Sequence, residues 1–187
     1  DRIDNRDTLI ANDDKHVQKF SGYHQLDLLG KVKFQQNNNN IHSLNVQYSN
    51  SGDVPRYDRL TDPKGNGLNS AEWYYGPQKR FLANYELNLN TSFPLKFAIN
   101  YQSIKESRHT RRVNNYNLQN RNENVSILGF DVYNKKIKGK RTNVIGLDTQ
   151  LESVISTAFS NNLITGSSSN LDTRYPAGFN RMFRLGL

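Results

Sequence analysis

Apolar and polar residues alternate one by one along six stretches of this chain. In the first, residues 21–35, Leu26, Leu28, Val32 and Phe34 share one parity, interrupted by Gly30, while Gln25, Asp27, Lys31 and Lys33 share the other. A period of two sets such groups on opposite faces of a β-strand. Residues 41–50 repeat the pattern, with Leu44, Val46 and Tyr48 against Ser43, Asn45, Gln47 and Ser49. The third stretch, residues 78–90, is the clearest: Phe81, Ala83, Tyr85, Leu87 and Leu89 alternate with Leu82, Asn84, Glu86, Asn88 and Asn90. A fourth carries Leu95, Phe97, Ile99 and Tyr101 opposite Lys96, Ala98, Asn100 and Gln102. The fifth, residues 122–133, is less one-sided, because Val125 and Ile127 join Gly129 and Asp131 on the face opposite Leu128, Phe130 and Val132. The sixth, residues 141–156, sets Ile145, Leu147, Thr149, Leu151 and Ile155 against Gly146, Asp148, Gln150 and Glu152.

The spacers suggest the architecture. Residues 36–40, 91–94 and 134–140 read as short turns built on Asn, on Pro94 and on Gly139, residue types that set or tolerate turn angles. Residues 51–77, 107–121 and 157–187 read as long polar segments. A soluble sandwich shows the same solvent to both its ends, so nothing in it demands alternating loop lengths. A transmembrane barrel does demand them, with short turns on the periplasmic side and long loops outside. The stretches also exceed the usual strand of about five to six residues, and about ten residues at a 45° tilt cover roughly the 25 Å lipid-facing band. The expected fold is all-β: an antiparallel transmembrane β-barrel fragment, about six long strands over residues 21–156, with short periplasmic turns and long extracellular loops. Residues 1–20 are expected as an extracellular loop or tail, and residues 157–187 as an extracellular loop or truncated C-terminal tail. The competing expectation is a sheet packed in a soluble protein, which needs a second layer; no stretch of helical period supplies one.

At 35% hydrophobic residues and a mean hydropathy of −0.81, the chain is thin for a soluble domain of 187 residues, which must bury a core against conformational entropy. Low hydrophobicity with net charge is also the signature of disorder, but 11% aromatic residues and the alternation argue against that. No run of about eighteen apolar residues predicts a transmembrane helix, which leaves strand crossings untouched. Residues 1–14 are polar and acidic without a signal-peptide pattern, so the chain is expected to be mature, cytosolic or a fragment. Cysteine is absent, which excludes a disulfide framework and thiolate chemistry. A net charge of +8 and a pI near 9.7 point first to nucleic acid. The positives, however, gather in one spacer (Lys105, Arg108, Arg111, Arg112, Arg121) and in one turn (Lys135, Lys136, Lys138, Lys140, Arg141), not on a helix or an aromatic-interleaved platform. No nucleic-acid partner is expected.

Four short strings add a family signal: PRYDRLT at residues 55–61, EWYYGPQKR at 72–80, ESR at 106–108 and TRYP at 173–176. In this order, between strands of this kind, they resemble the barrel region of TonB-dependent receptors of the Bacteroidetes type, over about residues 22–177. The resemblance implies a bacterial outer-membrane barrel of about 22 strands, plugged by an N-terminal domain. Such receptors import a scarce nutrient (a ferric siderophore, haem, cobalamin or a glycan) with energy passed from an inner-membrane complex. The implied partners are outer-membrane lipid and lipopolysaccharide, the receptor's own plug domain and the TonB energy-coupling protein. No plug, TonB box or terminal strand ending in an aromatic residue is found, so the chain is expected to be an internal barrel segment that does not transport alone. An alternative from a different class is a soluble β-rich module binding a glycan or an anionic ligand.

Trp73, Tyr74 and Tyr75 precede the third strand. They suit ligand stacking, but amphipathic rings also form the aromatic girdle at a lipid–water interface, and that preference favours the girdle. Arg56, Tyr57, Asp58 and Arg59 lie in the first long spacer. There, pairing of Asp58 with Arg56 or Arg59 is favoured over substrate contact, although an exposed pair contributes only about 0–1 kcal/mol. Lys105, Arg108, Arg111 and Arg112 suit lipopolysaccharide phosphates or an anionic substrate, because guanidinium forks match such oxygens; a solvated basic loop accounts for them equally. The substrate-binding set expected of the outer loops is Arg56, Tyr57, Arg59, Trp73, Tyr74, Tyr75, Arg108, Arg111 and Arg112. His16, His24, His42 and His109 are scattered without metal spacing, and a metal needs converging ligands. Glu86, Asp131, Asp148 and Glu152 fall on the lumen face, where hydration and plug contact suit them better than a glycosidase pair. No nucleophile–base order or phosphate loop appears, so neither an enzyme nor a cofactor is expected.

Overall fold

The computed structural model describes residues 2–3, 6–9, 11–36, 40–175 and 178–187. The chain is all-β and antiparallel. Its strands are β1 Gln25–Gln35, β2 Asn40–Ser51, β3 Ser70–Tyr75, β4 Lys79–Leu89, β5 Leu95–Arg112, β6 Asn117–Lys138, β7 Arg141–Asn162, β8 Ser168–Asn170 and β9 Phe179–Gly186. The sheet runs β1-β2-β4-β5-β6-β7-β8; β3 extends the column of β4 along β5, and β9 extends that of β8 along β7. A one-turn helix, α1 Tyr57–Leu60, and three two-residue pairings complete the described elements.

The register gathers the alternating residues into two faces, because directly opposed residues of an antiparallel pair share a side. Phe97 lies between Leu87 and Val132, Ile99 between Tyr85 and Phe130, and Tyr101 between Ala83 and Leu128. The same rows reach Leu44 and Val32 on one flank and Leu147, Leu151 and Phe183 on the other. One apolar face therefore runs unbroken from β1 to β9. The opposite face is polar: a single row crosses the sheet as Lys31, Asn45, Asn84, Asn100, Gly129, Gln150 and Arg184.

Among the described residues nothing covers the apolar face. Val32 and Phe34 are 63% and 59% exposed, Ala158 is the single buried hydrophobic among the described residues, and no large side chain among them is fully buried. The sheet is one open layer with β1 at one edge and β8 and β9 at the other. Polar-face side chains of β2, β4, β5, β6 and β7 line a recess of about 400 Å³, so the sheet is concave on its polar side.

The turns at one end are tight. Lys138 pairs with Arg141 across Gly139 and Lys140, and Gly139 has φ of +60°, the left-handed angle that primed hairpin turns require and glycine adopts most easily. Residues 90–94 join β4 to β5, with the Asn134 side-chain amide donating to the Pro94 carbonyl. Of the expected turn at 36–40, residues 37–39 lie outside the described residues.

The other end departs from expectation. The spacer 107–121, expected as a long loop, is mostly strand: β5 runs to Arg112 and β6 begins at Asn117, leaving residues 113–116 as the connection. Within the expected tail 157–187, β7 continues to Asn162, and β8 and β9 add a further strand column. The reason is that a hydrogen-bond ladder needs only backbone groups. Where both faces are polar, the strand continues without an apolar alternation to announce it. Only the first long spacer keeps a long excursion, between Ser51 and Ser70. The asymmetry of the molecule thus rests more on strand length than on loop length: 22 residues in β6 and in β7 extend roughly 70 Å.

Candidate functional site

The residues expected to bind substrate gather at the long-strand end, but the sheet divides them between its two faces. A local insertion causes the division. Tyr74 lies opposite His109 and Lys79 opposite Lys105, so five residue steps on one column match four on β5. An extra residue of this kind is a β-bulge and reverses the parity of the strand. It falls at Gly76–Pro77, where the peptide is cis and Gly76 has φ of +104°. A Cβ at Gly76 would stand 2.5 Å from the Gly52 carbonyl oxygen, so no larger residue fits. The junction is tied by Gly76 N–H to the Ser107 carbonyl at 3.1 Å and by Ser107 Oγ to the Gly76 carbonyl at 2.7 Å.

Because of the bulge, Trp73 and Tyr75 lie on the polar face. An aromatic girdle must face lipid, so the girdle expectation is corrected for both. Their rings meet edge to face at 4.9 Å. The Arg56 guanidinium sits 5.1 Å from the Trp73 ring centre and 5.8 Å from that of Tyr75, within cation–π range. Two hydrogen bonds of 2.8 and 2.7 Å fork from Arg56 to Asp58, and Arg56 N–H donates to the Trp73 carbonyl at 2.9 Å. The Asp58 hydrogen bond holds the Arg56 guanidinium above its ordinary value, and the reciprocal bond holds the Asp58 carboxyl below the usual carboxylate range. Arg59 stands 3.8 Å from Asp58 and Tyr57 is exposed. The Asp58 pairing favoured from sequence is present, and it seats the residues around α1 on the aromatic pair.

Tyr74 and Arg111 lie on the other face. Tyr74 stacks on His109 at 4.6 Å and 15°, and His109 hydrogen-bonds Asn120. Burial, with Asp53 and Glu72 nearby, raises the Tyr74 hydroxyl above its usual value. Arg111 is 5% exposed and fully engaged. It donates to both Asp7 oxygens at 2.8 and 2.9 Å, to Glu72 at 2.7 Å and to the Asn115 carbonyl at 2.8 Å. Burial opposes its charge, but the bonds to Asp7 and Glu72 outweigh that and keep its pKa raised. Its place in a basic loop is corrected: Arg111 is a structural clamp within β5. Arg108 and Arg112 also belong to β5. Arg108 is opposite Tyr75 and Arg121 on the polar side, and Arg112 is opposite Ser70 beyond a second register shift.

The polar recess adds residues that strand parity marked only as polar. Asn45, Gln47, Asn84, Asn100, Gln102 and Gln150 line it, joined by Asp131 and Asp148. Glu86 pairs with Lys96 at 2.8 Å, Asp131 stands directly opposite Asp148, and Glu152 pairs with Arg184. Register brings these together, and period alone does not reveal register. Among the described residues no three His, Asp or Glu side chains converge as metal ligands. No protein-family profile, curated protein or solved structure matches the chain.

Proposed function

We propose that this chain is a wall segment of a bacterial outer-membrane β-barrel, of the TonB-dependent receptor type. The observation that carries the reading is the unbroken apolar face, seven strand columns wide and uncovered by any described residue. Soluble proteins rarely leave so large an apolar surface in water. Hydrocarbon outside and water inside account for an apolar convex face and a polar concave one. The open edges at β1 and β9 are then where further strands of the same barrel pair. In this orientation the tight turns face the periplasm, and the long-strand end projects outward. Arg56, Trp73, Tyr75 and Arg108 on the polar side, with the exposed Tyr57 next to Arg56, are the residues offered to an incoming nutrient, a ferric siderophore, haem or cobalamin. The carboxylates and amides of the recess face the plug domain, and energy comes through the TonB protein. No catalysis is assigned to the chain.

The competing reading, a soluble module for a glycan or anion, requires a layer over the apolar face. Cell fractionation of the native full-length protein separates the two readings. Recovery in the outer-membrane fraction, resistant to salt and alkaline wash, is expected. A full-length protein that is soluble, folded and monodisperse in plain buffer would eliminate the membrane reading.

A further inference from the structure

The sheet partitions its charges as well as its apolar residues. Every carboxylate of β1, β2, β4, β5, β6, β7 and β9, from Asp27 to Glu152, lies on the polar face. On those strands the apolar face carries cations only: Lys79 and Lys105 beyond one border of the apolar band, Arg181 one row inside them, Lys136, Lys138 and Arg141 beyond the other border, and Arg111, clamped by Glu72 of β3 on the same face.

Lys79 and Lys105 are the sharpest case. They stand directly opposite each other on β4 and β5, which brings their Cβ atoms to about 4.5–5.5 Å and makes like charges mutually destabilising. Both are exposed, and among the described residues neither has an acidic partner. The row continues into Asn50 on one side and Asn124 on the other, both amide donors. The next row toward the band holds Phe81 and Ser103, and the Phe81 ring lies 6.3 Å from that of Tyr101. Two lysines thus stand opposite each other at the edge of an apolar surface, with polar donors in the same row and no anion supplied by the described residues.

We propose that Lys79 and Lys105 form a clamp for the phosphate group of an anionic lipid headgroup in the outward-facing leaflet. A phosphate between the two ammonium groups converts their repulsion into two charge-assisted contacts. The long lysine stems allow the charges to reach the headgroup while lying along apolar surface. The absence of carboxylates from this face of β4 and β5 has the same rationale, since an acidic group beside the pair would repel the headgroups. This inference rests on the membrane orientation proposed above.

The test measures partition of the native full-length protein into vesicles of phosphatidylcholine alone and of phosphatidylcholine doped with phosphatidylglycerol or with diphosphorylated lipid A. The chain is expected to enter both and to prefer the anionic ones. K79Q/K105Q should reduce that preference about thirtyfold, from roughly 1 kcal/mol per lysine, K79R/K105R should retain it, and K31Q/K33Q, on the opposite face, should change it little. Inorganic phosphate should not displace the chain from anionic vesicles. Retention of the preference in K79Q/K105Q, an equal loss in K31Q/K33Q, or displacement by inorganic phosphate would overturn the clamp and leave the membrane reading standing. Failure to enter phosphatidylcholine vesicles would overturn both.

Discussion

β5, β6 and β7 pass through two different environments along their own length. Nearer the tight turns, each row of β5 from Leu95 to Tyr101 is apolar on one side and chiefly polar on the other. From Ser107 onward both sides are polar, and the side chains turn to one another. Three of the six buried polar residues among those described, Arg111, Asn120 and Ser160, lie in this far half, as does the buried Ala158. The backbone ladder is the same throughout, so the difference lies entirely in what the side chains meet. The far half satisfies itself with ion pairs, stacked rings and side-chain bonds to backbone. The near half leaves its apolar surface to be satisfied from outside, by hydrocarbon in the proposed orientation.

The largest effect expected belongs to the self-satisfied half. Arg111→Met removes the buried cation between Asp7 and Glu72, whose side chains are 10% and 32% exposed. The loss should be about 3–5 kcal/mol, read from the denaturant midpoint of the chain in lipid. A cost below about 1 kcal/mol would mean that the clamp contributes little.

The near half is probed by charge insertion. Leu87→Lys or Phe97→Lys, at directly opposed positions on the apolar face, should cost about 2–4 kcal/mol in lipid. Asn88→Lys, one residue away on the polar face, should be close to neutral. Equal tolerance at the three positions would erase the distinction between faces.

Two glycines sharpen the comparison between faces at smaller scale. A Cβ at Gly146 would meet the Tyr133 Cβ at 2.6 Å and the Val132 carbonyl oxygen at 2.7 Å, whereas nothing lies within 4 Å of one at Gly30. Gly146→Ala should therefore cost roughly 1–3 kcal/mol through overpacking, while Gly30→Ala should be neutral or slightly stabilising. A reversed order in thermal melts would contradict the close fit between β6 and β7.

The smallest expected effect is a pH response around α1. Asp58 has a folded pKa below the ordinary aspartate value. Its contribution is therefore fully present above about pH 3.9 and is lost as pH falls through the lower folded value. Trp73, the sole tryptophan, reports on the Arg56 contact. Its emission should stay constant from neutral pH to about pH 4 and change below that, and Asp58→Asn should remove the acid transition. A transition near neutral pH would point to a different titrating group.

Much of the near half was legible in the sequence. Leu87 and Asn88 declare opposite faces because a strand has a period of two, and the turns at Pro94 and Gly139 follow from the angles those residues take. The candidate site was less legible. Trp73 and Tyr75 seemed destined for the lipid border, and one extra residue at Gly76–Pro77 turned them to the polar side. A Gly-Pro pair within an alternating run is a sequence sign of a bulge, but its effect on parity depends on which β5 residues pair on either side. Arg111 looked like its basic neighbours Arg108 and Arg112. Only the approach of Asp7, 104 positions earlier in the chain, distinguishes it.

The sequence by itself determined that this chain forms strands, which residues share a side of each strand, and that one side is apolar and the other polar. Those properties are local: they follow from period two and from side-chain polarity, and no distant contact can reverse them within a regular strand. The tertiary structure decided how far the strands run, how the rows align from β1 to β9, and which face each outer residue joins. These depend on hydrogen-bond register between segments far apart in sequence, which polar stretches without alternation leave unmarked.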